Sequence, residues 1–198
     1  MQAPMYRSYK KVPGPKWLHE ILGEDFFISV AAVRIEDRNH FAEIRYFPHL
    51  RELDLWGSNV TDADLAELSQ VGEIEGINFD ATSISDAGLQ HVGGLTRLRK
   101  LCLSHTRITD AGLSNIVALK RLQLLNLHHT QITDVGLEQL IALPDLEWLS
   151  LIGTRVTDVG LRKLERLRGL KELEVYDTGA TEDGVERLRK ALPRCHIQ

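Results

Sequence analysis

Three histidines, His105, His128 and His129, stand close to Cys102, with Asp80 upstream. Imidazole and thiolate are zinc ligands, and imidazole titrates near neutrality, so this group could hold a metal ion or respond to pH. Cys102, with His105 three residues on and Asp80 before it, also has the residue types of a nucleophile, a base and an orienting group. Neither reading has a preformed spacing behind it, because no Cys-x-x-Cys or His-x-x-x-His pair occurs. A phosphate-cradling glycine loop, a dinucleotide fingerprint and a zinc-protease helix are also missing. The sequence therefore assigns no catalytic residue, no metal and no cofactor, and the chain reads as a non-enzyme. Hydroxyl groups point the same way: Ser58, Thr82, Thr106, Thr130, Thr154 and Thr178 recur at a constant interval of 24 residues. So regular a hydroxyl suits the bonding of turn backbone and not acyl transfer.

That interval governs most of the chain. Leu50, Ile74, Leu98, Leu122, Leu146 and Leu170 are 24 residues apart without insertion, and the segments they open share the pattern L-x-x-L-x-L-x-x-T-x-I-T-D-x-G-L. Apolar residues spaced by three follow, such as Leu113, Ile116 and Leu119. A shorter copy precedes them, with Val30, Val33 and Ile35 in strand positions and Phe41, Ile44 and Phe47 in helix positions; only 20 residues separate Val30 from Leu50.

These motifs resemble the leucine-rich repeat family, in the 24-residue version of F-box-associated and bacterial GALA-type proteins. The resemblance covers residues 50–192 and implies an α/β fold: a right-handed solenoid or horseshoe, parallel strands on the concave face and helices on the convex face. It also implies a protein-binding module. An alternative is a substrate-receptor subunit of a ubiquitin-ligase-like complex, since PKWLHEILGEDFF is similar to the start of an F-box, although it lacks the leading leucine. A third possibility is a self-associating assembly module.

The residues give the same architecture from below. Alternation in L-x-x-L-x-L is strand periodicity, and spacing by three is helix periodicity. A unit this short buries its core only by stacking on neighbours. Thr61, Ser85, Thr109, Thr133, Thr157 and Thr181 are placed to cap the helix that follows, and the Asp or Glu after each puts an anion at its positive end. Glycine at 88, 112, 136, 160 and 184 suits close approach of coils; Asp64 takes that place in the first full repeat. Four segments follow: a flexible basic tail at 1–16, an N-terminal cap helix and shortened first repeat at 17–49, six repeats at 50–192 and a cap strand at 193–198. Trp17, Leu18, Ile21 and Leu22 supply the cap's apolar stripe.

Composition bounds the function. With 24 basic and 28 acidic residues in 198, a net charge of −4, the chain has no basic excess for nucleic acid. Two cysteines make no disulfide framework. No run approaches the roughly 18–20 apolar residues that span a bilayer, and Met1–Pro15 lacks a secretory core, so a cytoplasmic protein is expected. The basic run Arg162, Lys163, Arg166, Arg168, Arg187, Arg189 and Lys190 reads as a solvated helix face.

A partner protein or peptide is expected on the concave face, where equal positions of successive repeats form columns. Leu124, Trp148, Ile152 and Tyr176 should make an apolar patch there, of the kind from which hot spots are built. Asp54, Asn78, Asn126 and Glu174 are the expected polar contacts, with Trp56 and His128 beside them. The oligomeric state is not encoded in any feature of the sequence.

Overall fold

The computed structural model describes residues 31–198 together with the backbone of Lys10–Lys11. Nine parallel strands form one open sheet in chain order. They are β1 (Lys10–Lys11), β2 (Ala32–Arg34), β3 (Glu52–Asp54), β4 (Gly76–Asn78), β5 (Lys100–Cys102), β6 (Leu124–Asn126), β7 (Trp148–Ser150), β8 (Glu172–Glu174) and β9 (His196–Ile197). From β3 to β8 each residue pairs with the one 24 positions on, as Leu101 with Leu125 and Leu125 with Leu149. The chain is thus an α/β solenoid. Lys10–Lys11 pairs with Val33 and Arg34 at one edge. The remainder of the tail, the cap helix and the segment PKWLHEILGEDFF lie outside the described residues. Among the described residues no helix is long and apolar enough to cross a membrane.

Each strand is short because the chain turns just past it through a residue with positive φ. Gly57, Ala81, His105, His129, Gly153 and Asp177 hold φ between 51° and 65° at the same place in six coils. The next hydroxyl closes the turn: Thr82, Thr106, Thr130, Thr154 and Thr178 each donate to the carbonyl three residues back. Ser58 is the exception, its buried hydroxyl finding no partner among the described residues. Past the turn, isolated parallel bridges such as Ser85 with Arg107 and Thr109 with Gln131 tie the coils together again.

Helical segments then return the chain. Arg38–Tyr46 and Asp64–Gln70 are 3-10 helices. Later coils carry α1 (Asp86–Val92), α2 (Asp110–Leu113), α3 (Leu137–Leu140), α4 (Asp158–Leu164) and α5 (Glu182–Ala191). Ser85, Thr109, Thr157 and Thr181 cap α1, α2, α4 and α5 through their hydroxyls. Strand and helix leucines meet in one continuous core, with Leu53, Leu55, Leu65, Leu101, Leu113, Leu125, Leu149 and Leu161 at most 2% exposed.

The aspartate beside each cap residue does more than face a helix dipole, because it reaches forward into the next coil. Asp62, Asp86, Asp110, Asp134 and Asp158 each accept the backbone N–H of the next coil's Ser85, Thr109, Thr133, Thr157 or Thr181 at 2.8 Å. Their second oxygens take the same residues' hydroxyls at 2.6–2.8 Å. Glycine is required opposite: a Cβ at Gly112, Gly136, Gly160 or Gly184 would collide with that carboxylate. Asp64 replaces glycine in the one coil that meets no such carboxylate. Coil β2 has Arg38 where later coils have this aspartate, and Asp64 itself accepts the Thr61 N–H at 2.8 Å and hydroxyl at 2.7 Å, while pairing with Arg38.

Candidate functional site

The strand positions that face the hollow of the sheet divide into a closed half and an open half. In the first coils Glu52 lies over Gly76, whose missing side chain makes room for it, and reaches Lys100 across two coils with Nζ at 3.5 Å from Oε1. Asp54 and Asn78 are 3% and 5% exposed. Asn78 Nδ2 donates to Asp54 Oδ1 at 2.9 Å, and the two side chains accept the N–H groups of Trp56 and Asp80. Both are scaffold, which corrects the expectation of partner contacts: each is buried and supplies the acceptor for the N–H two residues on. Trp56, 54% exposed, carries the Arg34 guanidinium over its ring at 5.5 Å.

The second half is open. Leu124 and Trp148 are paired neighbours on β6 and β7, each half-buried, and Glu174 on β8 is half-buried as well. Tyr176 is 56% exposed at the end of β8. Ile152 is a second correction. It is only 6% exposed although it stands outside the continuous core, and its carbonyl accepts the His129 N–H at 2.8 Å. Asn126 is half-buried and spends its oxygen on the His128 N–H at 3.1 Å. The column two residues into each repeat escaped sequence reading. Arg51, Glu75 and Arg99 form ion pairs along it, and Glu147 binds Lys171 at 2.7 Å; alternating charge at the 24-residue interval was the available signal.

At the turn edge the three histidines come together. Ring centroids are 5.2 Å apart for His105 and His128, 4.7 Å for His105 and His129, and 4.3 Å for His128 and His129. Burial, reinforced by the His129 and His105 imidazoles, pulls His128 below the ordinary histidine range, against the opposing pull of Asp177. Cys102 is not part of this group. It is fully buried, and burial followed by the Asp80 and Asp54 carboxylates pushes its thiol well above the ordinary range, the reverse of what a nucleophile or zinc ligand needs. Asp80 stands between the two halves and accepts the Ser104 N–H at 2.6 Å. Burial, with the Asp54 carboxylate adding to it, lifts its carboxyl to about 6.

The basic residues of the last helices are largely engaged in the scaffold. Lys163 donates to the Asp134 carbonyl at 2.8 Å, Arg168 to that of Ala191 at 2.6 Å, and Arg189 bonds Glu182 and the Ile197 carbonyl.

Residues 96–156 match the model of a leucine-rich repeat family. Solved structures share the fold. Internalin C2 of Listeria monocytogenes superposes with a TM-score of 0.68 at 24% identity, covering 88% of this chain and 72% of that one. An internalin F of the same species gives 0.63 at 19% identity, covering 79% of this chain and 49% of the other. A leucine-rich-repeat protein of Leptospira interrogans gives 0.61 at 24% identity, with 79% and 39% covered. This chain thus spans about half or less of the latter two. No curated protein matches it in sequence. The fold is that of a leucine-rich-repeat solenoid.

Proposed function

We propose that this chain is a protein-binding repeat module of the 24-residue T-D-x-G-L type, which captures a partner protein or peptide on the open half of its concave face. Leu124, Trp148 and Tyr176 are the apolar anchors. Asn126, Glu174 and His128 frame them, and Trp56 marks the far end of the same face. The observation that carries this reading is the difference between the halves. Polar groups on β3 to β5 are consumed by contacts within the chain, whereas Leu124 and Trp148 lie side by side with Tyr176 exposed beyond them. Exposed aromatic groups in a concave surface are the residues whose truncation most weakens binding.

The test is affinity capture from native extract with the wild-type chain and the double variant Trp148→Ala, Tyr176→Ala, each checked for folding by circular dichroism and thermal melting. Partners retained by the wild type should fall at least tenfold with the folded variant. Equal capture by both would reject this face as the binding surface.

A further inference from the structure

We infer that His105, His128 and His129 form a three-imidazole site for one divalent transition-metal ion of the zinc class. It stands at the turn edge of the coils that carry β5 and β6. The stacking of coils brings together what sequence spacing does not: His105 and His129 hold the same place in consecutive repeats, and His128 precedes His129. Each offers one ring nitrogen, and these nitrogens all lie within 4.8 Å of one another. A tetrahedral ion at roughly 2.0–2.1 Å from each nitrogen would space them about 3.3–3.4 Å apart, within reach by side-chain rotation.

Three further features mark the arrangement. The backbone of every member is pinned: His105 N–H binds the His128 carbonyl, His129 N–H the Ile152 carbonyl and His128 N–H the Asn126 side chain, at 2.8–3.1 Å. The ring nitrogens, by contrast, find no hydrogen-bond partner among the described residues, although His40 and His49 elsewhere each bond a glutamate. Finally, His105 and His129 sit at φ 54° and 51°, the left-handed position that this turn takes in six coils, so the repeated turn sets the two rings in one column 4.7 Å apart. Next to them Gly153 is bare, and a Cβ there would collide with the His129 imidazole. Imidazole suits zinc, nickel, copper and cobalt, and three protein ligands leave a position open for water or an incoming group.

The test uses the full chain without a histidine tag, titrated with Zn²⁺ by calorimetry and with Co²⁺ by visible absorption. One ion per chain should bind, and Co²⁺ should develop the intense visible bands of a four-coordinate site. His105→Gly and His129→Gly each remove a ligand at a left-handed position that glycine accepts without strain, so both variants should fold. Each, like His128→Ala, should weaken binding at least tenfold, whereas His40→Ala and His49→Ala should leave it unchanged. Two results would overturn the site: no saturable binding by the wild-type chain, or binding that survives in the folded His105→Gly, His128→Ala, His129→Gly variant.

Discussion

The two bends of each coil obey different rules. At the helix-entry bend one arrangement is copied from coil to coil: aspartate forward, threonine or serine back, glycine opposite. At the strand-exit bend the positive φ and the closing hydroxyl repeat, but the side chains vary: Trp56 and Gly57, Asp80 and Ala81, Ser104 and His105, and His128 and His129 stand there in turn. The first bend pairs the N–H and hydroxyl of Ser85, Thr109, Thr133, Thr157 and Thr181 with the preceding coil's aspartate. The second carries liabilities: non-glycine residues at positive φ, a half-buried carboxyl lifted to about 6, and three imidazoles crowded together at tilted angles. Repetition marks the bend selected for stacking. Variety marks the one whose side chains the stacking of coils constrains less.

The sharpest way to break that contrast is to cut the repeated bend. Asp110→Ala removes two charge-assisted bonds and leaves the Thr133 N–H and hydroxyl unpaired in a half-buried seam. The expected loss is about 2–4 kcal/mol in urea unfolding. Glu182 occupies the same place in the last coil but has no such seam to close and lies exposed, paired with Arg189. Glu182→Ala should therefore change stability by less than about 0.5 kcal/mol. Equal losses would mean that the aspartate acts on its own helix and not on the next coil.

A smaller effect, with a pH signature, belongs to the variable bend. Asp80 titrates at about 6 in the folded chain against an ordinary value of 3.8. The folded state therefore holds this proton more tightly than the unfolded one. The protonated carboxyl contributes stability that is fully present below about pH 4 and is lost as the pH rises through about 6. Asp80→Asn keeps an oxygen for the Ser104 N–H and removes the charge. It should gain about 1–2 kcal/mol at pH 7, and its advantage over the wild type should shrink toward pH 4. A difference that stays constant over this range would place the Asp80 carboxyl in ordinary solvent.

What sequence alone revealed follows the same division. The 24-residue interval exposed the strands, the helical segments and four of the six expected caps, because each depends on neighbours a few residues away; after Thr61 and Thr133 the helical segment starts later, with Ala63 and Gly136 at its N-cap. The forward reach of Asp62 or Asp110 stayed hidden. Its partner is 23 residues on, and adjacency to a cap threonine suggested a local role instead. Alternation assigns Asp54, Asn78 and Ile152 to the open face because it tells which way a side chain leaves the strand. It does not tell whether the following turn folds over it. Trp148 and Leu124 were legible as non-core because Leu146, Leu149 and Leu151 already fill the interior. The histidine cluster was visible as a column, but its ring distances depend on two coils meeting, which no single repeat encodes. Positive φ had a faint trace, glycine at 57 and 153 in one column, that Ala81 and His105 obscured.

Ala81 offers the finest test of the comparison, because the same substitution should have opposite signs at the two bends. With φ at 58°, Ala81 pushes its Cβ toward its own carbonyl, a strain of roughly 1–2 kcal/mol that glycine does not carry. Part of the gain is returned through the greater freedom of an unfolded glycine, so Ala81→Gly should stabilise the chain by about 0.5–1 kcal/mol. Ala87 opens α1 at the repeated bend with its N–H bound to the Ser85 hydroxyl. Its backbone is already relaxed, and Ala87→Gly should cost about 0.5 kcal/mol. Parallel chemical denaturation of the two variants reads the pair directly. A loss at both positions would remove backbone strain from the account of the variable bend, and with it the reason to regard His105 and His129 as held in place at a cost.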